Sequence, residues 1–199
     1  MHKYALKTVR LFTMPLLALS ASISTLSAGT STATDTVSGT VTAAGTSPAY
    51  GVPGANLTLL LPTSSVTTVT SSTGAYKFTG IAPTTKGLTL DSVDNYYLNL
   101  ADAFSLPTSG SVTVSFLLYP KMVVATASSV LPTVTRVWTV TNPLAVPVTF
   151  TYQLSTNTAV KGSFTVGGLK TVSFSTPTQS KTNILQIYVA YVLVASAGN

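Results

Sequence analysis

The sequence predicts an all-β protein: two consecutive antiparallel β-sandwich domains behind an export leader. Three observations point there. Apolar residues alternate with Ser and Thr in short runs, as in Val37, Gly39, Val41, in Ala55, Leu57, Leu59, Leu61, and in Val112, Val114, Phe116, Leu118. Gly and Pro turn signals separate these runs, at spacings of roughly ten residues that suit a sandwich. The chain of 199 residues has room for two sandwiches of ~100 residues each.

Residues 1–28 carry the pattern of a secretory signal peptide. Lys3, Lys7 and Arg10 form a basic start, Leu11 through Leu19 an apolar run, and Leu26-Ser27-Ala28 a small-residue cleavage site. The apolar run is short and broken by Pro15, which favours cleavage over an uncleaved anchor. Export to the cell surface is therefore expected, with no stable membrane span once the leader is gone. Residues 29–36, Gly-Thr-Ser-Thr-Ala-Thr-Asp-Thr, lack an apolar pattern and read as a flexible segment that runs straight into the first strand.

Residues 37–119 are the first expected sandwich. Gly51-Val52-Pro53-Gly54 turns the chain before the long strand from Ala55 to Leu61. Thr73-Gly74 sits where a hairpin is expected to reverse ahead of Tyr76 and Phe78, which share a face. Asn56-Leu57-Thr58 is the one N-glycosylation sequon, and Asn56 alternates with Ala55 and Leu57 on the outer face. Leu88-Thr89-Leu90 and Tyr96 to Leu100 supply further strands, and Val112 to Leu118 closes the unit. Asp91, Asp94, Asn95 and Asp102 lack the Glu and Gly of an EF-hand loop and read as solvated turn residues, so neither metal nor cofactor is expected. Leu106-Pro107-Thr108-Ser109-Gly110 departs from the Leu-Pro-x-Thr-Gly sortase signal and no membrane span follows it. The order strand, Gly-Val-Pro-Gly-Ala, strand, Thr-Gly-Ala-Tyr-x-Phe over residues 37–81 resembles the carboxypeptidase regulatory-like domain. That family is a transthyretin-like sandwich related to the repeats of bacterial surface adhesins, and the resemblance implies that fold.

Residues 120–199 form the second expected sandwich. Its strands run from Met122 to Thr126, Val134 to Thr141, Val148 to Leu154, Lys161 to Val166, Lys170 to Ser175 and Ile184 to Val194. Leu131-Pro132, Asn142-Pro143, Gly167-Gly168 and Thr176-Pro177 separate them. Val137-Trp138-Thr139-Val140-Thr141-Asn142-Pro143, followed by Pro147-Val148-Thr149-Phe150-Thr151-Tyr152, resembles the immunoglobulin-like domains of prokaryotic surface proteins. Trp138, the single Trp, is expected in the core. The stretch Ile184 to Val194 reads as one strand apolar on both faces, which needs cover on both sides.

Composition narrows the function. Hydrophobic residues make up 45% and charged residues 7%, against roughly 25% charged in ordinary soluble domains; the surface must be hydroxyl-rich. Beyond residue 28, seven Lys and Arg against four Asp leave +3. These basic residues are scattered one per strand or turn, which suits isolated solvated positions, and no nucleic-acid partner is expected. There is no Cys, no Glu, and no His beyond His2, so imidazole, thiol and paired Glu chemistry are absent and the chain is not read as an enzyme. An intramolecular isopeptide bond, known from adhesin repeats, joins Lys to Asn or Asp beside an acid that is normally Glu. The opening strand around Val37 carries no Lys, so this bond is not expected.

Two functions remain. The first is a secreted structural subunit of a cell-surface filament or coat, a homopolymer joined head to tail by β-strand donation. The N-terminal segment from Gly29 to Ala44 is the expected donor, with Val37, Val41 and Ala43 as its anchors, and the acceptor is the sandwich ending in Ile184, Ile187, Val189, Tyr191 and Leu193. This is similar to the donor-strand architecture of the thread-like pili of thermoacidophilic archaea. Hydroxyl-rich outer faces are suited to carry glycans, with Asn56 the candidate for N-glycosylation. The second is a secreted module that binds carbohydrate or a surface partner through Tyr50, Tyr96 and Tyr97.

Overall fold

The computed structural model describes residues 23–25, 34–97, 104–129, 135–177 and 184–198. The leader except Ile23–Thr25, the segment 26–33 and Asp102 lie outside these residues. Among the described residues, strands follow one another without an intervening helix: β1 (Ile23–Thr25), β2 (Asp35–Ala43), β3 (Tyr50–Gly51), β4 (Asn56–Leu60), β5 (Ser65–Val69), β6 (Ala75–Ile81), β7 (Lys86–Leu90), β8 (Tyr96–Tyr97), β9 (Phe104–Leu106), β10 (Val112–Val114) and β11 (Phe116–Pro120) form the N-terminal half. The C-terminal half holds β12 (Val123–Ser129), β13 (Thr135–Thr141), β14 (Val148–Leu154), β15 (Asn157–Val166), β16 (Thr171–Pro177), β17 (Leu185–Val189) and β18 (Val192–Ala197). No described helix is long and apolar enough to cross a membrane.

The N-terminal half is a sandwich of two sheets. One carries β2 at its centre; the other runs β5-β4-β7-β9. β2 pairs antiparallel with β6 and β3 along one edge, and parallel with β10 and β11 along the other. The parallel ladder departs from the purely antiparallel expectation: β2 and the two closing strands β10 and β11 run the same way. Val37 pairs with Val112 and Val41 with Phe116, so β10 and β11 act as one strand interrupted at Ser115, whose Oγ accepts from Thr40 Oγ1 at 3.2 Å. The alternation works as read: Val37, Val41, Leu57, Leu59, Tyr76, Phe78, Leu88, Val112, Val114, Phe116 and Leu118 all point into the core. Gly39 faces the same way without a side chain because a Cβ there would fall 1.6 Å from the Val114 carbonyl oxygen. Tyr76, paired with Gly39, covers the gap and donates its hydroxyl to that same carbonyl at 2.7 Å.

The expected hairpin at Thr73-Gly74 is a turn of another kind. Gly74 N–H closes on Ser71 O at 2.9 Å, yet β5 pairs with β4 and β6 with β2, so this turn carries the chain from one sheet to the other. The apolar pattern shows each strand's buried face, but it does not say which strand lies beside it.

The C-terminal half packs the sheet β12-β13-β16 against β15-β14-β17-β18. Trp138 is fully buried between them, its Nε1 donating to Thr176 Oγ1 at 2.9 Å. Asn142, at the turn that closes β13, is fully buried and works as a clasp. Its Nδ2 faces the carbonyls of Val146 at 2.7 Å, Val166 at 3.1 Å and Gly167 at 3.1 Å, while its Oδ1 accepts from Leu144 N–H at 2.9 Å. On the wet faces, directly opposed threonines pair through their hydroxyls, Thr141 with Thr171 at 2.7 Å and Thr149 with Thr165 at 2.8 Å. These pairs stand where an ordinary sheet would place opposite charges. The two halves touch: Thr149 N–H donates to Gly45 O at 2.9 Å, and their apolar residues form one contiguous core.

The stretch from Ile184 to Val194 is not one strand. β17 and β18 form a hairpin that reverses at Ala190 and Tyr191, with Val189 opposite Val192. Both turn residues have positive φ, 46° and 68°, the backbone of the tight I′ class that matches strand twist. Ala and Tyr are poor occupants of that region, so the sequence carries no turn signal, and an eleven-residue apolar run conceals a reversal. Replacing Ala190-Tyr191 by Asn-Gly is expected to raise stability by ~1–2 kcal/mol, read as a higher denaturation midpoint with an unchanged m-value. A lower midpoint would mean that the exposed Tyr191 contributes more to the fold than the turn costs it.

Candidate assembly surfaces

The residues expected to be lent to a neighbour sit deep in their own chain. Val37 and Val41 are wholly buried and Ala43 is 4% exposed, on a strand paired along both edges. Lending β2 would dismantle the N-terminal sandwich. The expected acceptor residues divide between core and rim. Ile187 and Val189 are wholly buried, Ile184 and Leu193 half-buried, and Tyr191 is 99% exposed at the hairpin tip.

A different part of the C-terminal half presents open strand edges. Among the described residues, β15 shares a strand ladder with β14 and β16 with β13, each standing at the end of its sheet. The two edges lie on the same side of the sandwich, because Phe164 of β15 and Phe174 of β16 are in ring contact at 4.9 Å. Tyr152 stacks on Phe164 at 5.8 Å and meets Phe174 at a tilt, 4.5 Å away, and its ring covers Gly162, where a Cβ would fall 2.6 Å away. Along this seam Tyr152, Val160, Phe164, Val172 and Phe174 are only half-buried, whereas Trp138, Val140, Phe150 and Ile187, further inside, are essentially closed to solvent. Sequence reading missed the seam because alternation gives the inward face of β15 and β16 but not which strands end the sheets.

Two of the three aromatic candidates meet at a cleft between the halves. Tyr50 and Tyr96 line a space of about 540 Å³ together with Asn56, Asp94, Asn95 and Leu144. Tyr96 is 6% exposed, and burial, with Tyr50 adding to it, pushes its hydroxyl up to about 12. Burial raises the Tyr76 hydroxyl as well. Tyr97 is not part of the cleft; its ring lies under Lys121 Nζ, 5.9 Å from the centroid. Asn56 is exposed on the outer face of β4, as the alternation predicts, and stands at the cleft. Asp91, Asp94 and Asn95 are exposed, and no group of three metal-ligating acids, His or Cys forms among the described residues.

Two basic residues contradict the expectation of solvated positions. Lys86 is 1% and Arg136 5% exposed. Arg136 lies over the Trp138 ring, 5.3 Å from its centroid, and its Nε and Nη1 find no partner among the described residues. Lys86 reaches across the N-terminal sandwich to Asp35, itself buried at the start of β2. The sequence holds a signal for Lys86 that its charge masks: it alternates with Leu88 and Leu90 and must share their inward face. Asp35 likewise precedes Val37 by two and belongs to the strand, not to the segment ahead of it.

No protein-family model and no curated protein matches this sequence. Among solved structures, the chain is similar to a DUF3823 family protein from Parabacteroides merdae at 11% identity, covering 82% of this chain and 92% of that one with a TM-score of 0.38. It is similar to BcpA, the major pilin subunit of Bacillus cereus, at 11% identity over 82% of this chain and 67% of that one, TM-score 0.44. A candidate carbohydrate binding protein from Bacteroides uniformis matches at 13% identity over 82% of this chain and 96% of that one, TM-score 0.35. With TM-scores below 0.5 these are loose likenesses of the whole chain.

Proposed function

We propose that this protein is an exported, non-catalytic structural subunit that polymerises on the cell surface by adding a strand of one copy to the sandwich of the next. The observation that carries this reading is the seam between β15 and β16. Among the described residues it offers two sheet-end strands, β16 and β15 from Val160 onward, flanking half-buried aromatic rings, the combination of main-chain donors and side-chain pockets that an added strand uses. The occupant is the segment 29–34 of a neighbouring copy. Its Thr30, Thr32 and Thr34 are β-branched and alternate with smaller residues, and about 3.4 Å per residue gives them a reach of roughly 20 Å along the seam. In this form the donor stops short of β2, so Val37, Val41 and Ala43 stay in their own core. Glycans on the hydroxyl-rich faces and at Asn56 belong to the same reading.

The absence of Cys from the whole chain makes a clean test available. Thr32→Cys paired with Val172→Cys or Val160→Cys should give a ladder of disulfide-linked multimers on a non-reducing gel, and each single variant no species beyond a dimer. Polymers that form without any ladder would place the joint elsewhere.

The cleft favours a second reading, a carbohydrate-binding module, because it brings Tyr50 and Tyr96 together with the polar groups of Asn56, Asp94 and Asn95. It predicts glycan-array binding that disappears on Tyr50→Ala while circular dichroism stays unchanged; an array without signal removes this reading.

A further inference from the structure

We propose that Asp35 and Lys86 are joined by an amide bond between the Lys86 Nζ and the Asp35 side-chain carbonyl carbon. The two residues stand on facing sheets, at the first position of β2 and the first position of β7. Lys86 Nζ is in direct contact with Asp35 Oδ2, with side-chain exposures of 0% and 5%. Gly110 N–H donates to the other oxygen, Oδ1, at 2.8 Å. Gly110 holds φ at +87°, a backbone that side-chain-bearing residues rarely adopt.

Hydrogen-bond accounting separates an ion pair from an amide. An ammonium carries three N–H donors, and among the described residues Lys86 Nζ meets only Asp35. Two donors of a buried charge are then left bare, the costly case for a group taken out of water. An amide nitrogen has one N–H, no charge is left behind, and the Gly110 contact becomes an ordinary N–H to carbonyl bond. The covalent product satisfies this site better than the ions do.

The step balances without any other reagent. One proton passes from the Lys86 ammonium to Asp35 Oδ2, leaving a neutral amine against a neutral carboxyl group. The nitrogen lone pair forms the C–N bond while charge collects on Oδ1, where Gly110 N–H receives it. A second proton moves from nitrogen to Oδ2, the C–Oδ2 bond breaks, and water leaves. Holding both groups in fixed contact supplies an effective concentration on the order of 10⁵–10⁸ M, and burial keeps the released water from returning. Two features of the sequence speak against such a bond: the opening strand has no Lys and the chain has no Glu to serve as the neighbouring acid; in the step above the proton passes directly from Nζ to Oδ2, with no third carboxyl group. The strand supplies the Asp, and the Lys comes from the opposite sheet.

The test is the intact mass of the full chain, followed by peptide mapping. The expected mass is one water below the sequence value, with a branched peptide containing Asp35 and Lys86. After denaturation, Lys86 should be the one lysine that resists acetylation, and Lys86→Met should restore the full sequence mass whether or not it folds. A wild-type chain at full mass whose Lys86 acetylates in denaturant overturns the proposal and leaves an ion pair only.

Discussion

Strand β2 is the constraint on which the N-terminal half depends. It is hydrogen-bonded on both edges, to β6 and β3 on one and to β10 and β11 on the other. Its inward residues Val37 and Val41 fill the core, and its first residue, Asp35, crosses to the opposite sheet through Lys86. Removing either partner of a buried charge pair leaves the other uncompensated, at a cost of about 3–5 kcal/mol. A chain with 7% charged residues has few such devices, and it places this one where the two sheets of the sandwich must be held at their ends. The chain has no Cys, and the proposed amide at this position would close the sandwich covalently without a disulfide.

That constraint also shapes how copies can join. A strand tied along both edges and through its end is a poor candidate for lending, which is why the proposed donor is the segment ahead of Asp35. The proposed acceptor is the seam of β15 and β16, where the C-terminal sandwich leaves rings half-covered. The hydroxyl pairs on the wet faces complete the picture of a surface whose charge state changes little with pH. Few carboxylates would have to be protonated in acid, and an amide at Asp35 would take the buried one off that list.

Much of the fold was legible in the sequence because alternation with period two is a direct consequence of strand geometry. Val148–Leu154 was read to the residue, and Trp138 and the Asn142 turn lie where the motif around them implied. What escaped notice was of three physical kinds. Pairing is set by long-range packing, so the parallel β2 ladder and the inter-sheet turn at Gly74 left no local trace. The reversal at Ala190-Tyr191 uses residues that ordinarily avoid positive φ. The scatter of the basic residues suggests a solvated Lys86, and the lack of an apolar pattern over 29–36 puts Asp35 in a flexible segment, although their spacing from Leu88 and Val37 places both on buried faces.

The central claim is that copies of this chain form a linear polymer. Negative-stain electron microscopy of the native surface material tests it most directly. The account predicts thin unbranched filaments of uniform width built from a repeating globular unit. Discrete single particles, at concentrations where the purified chain is fully folded, would contradict it.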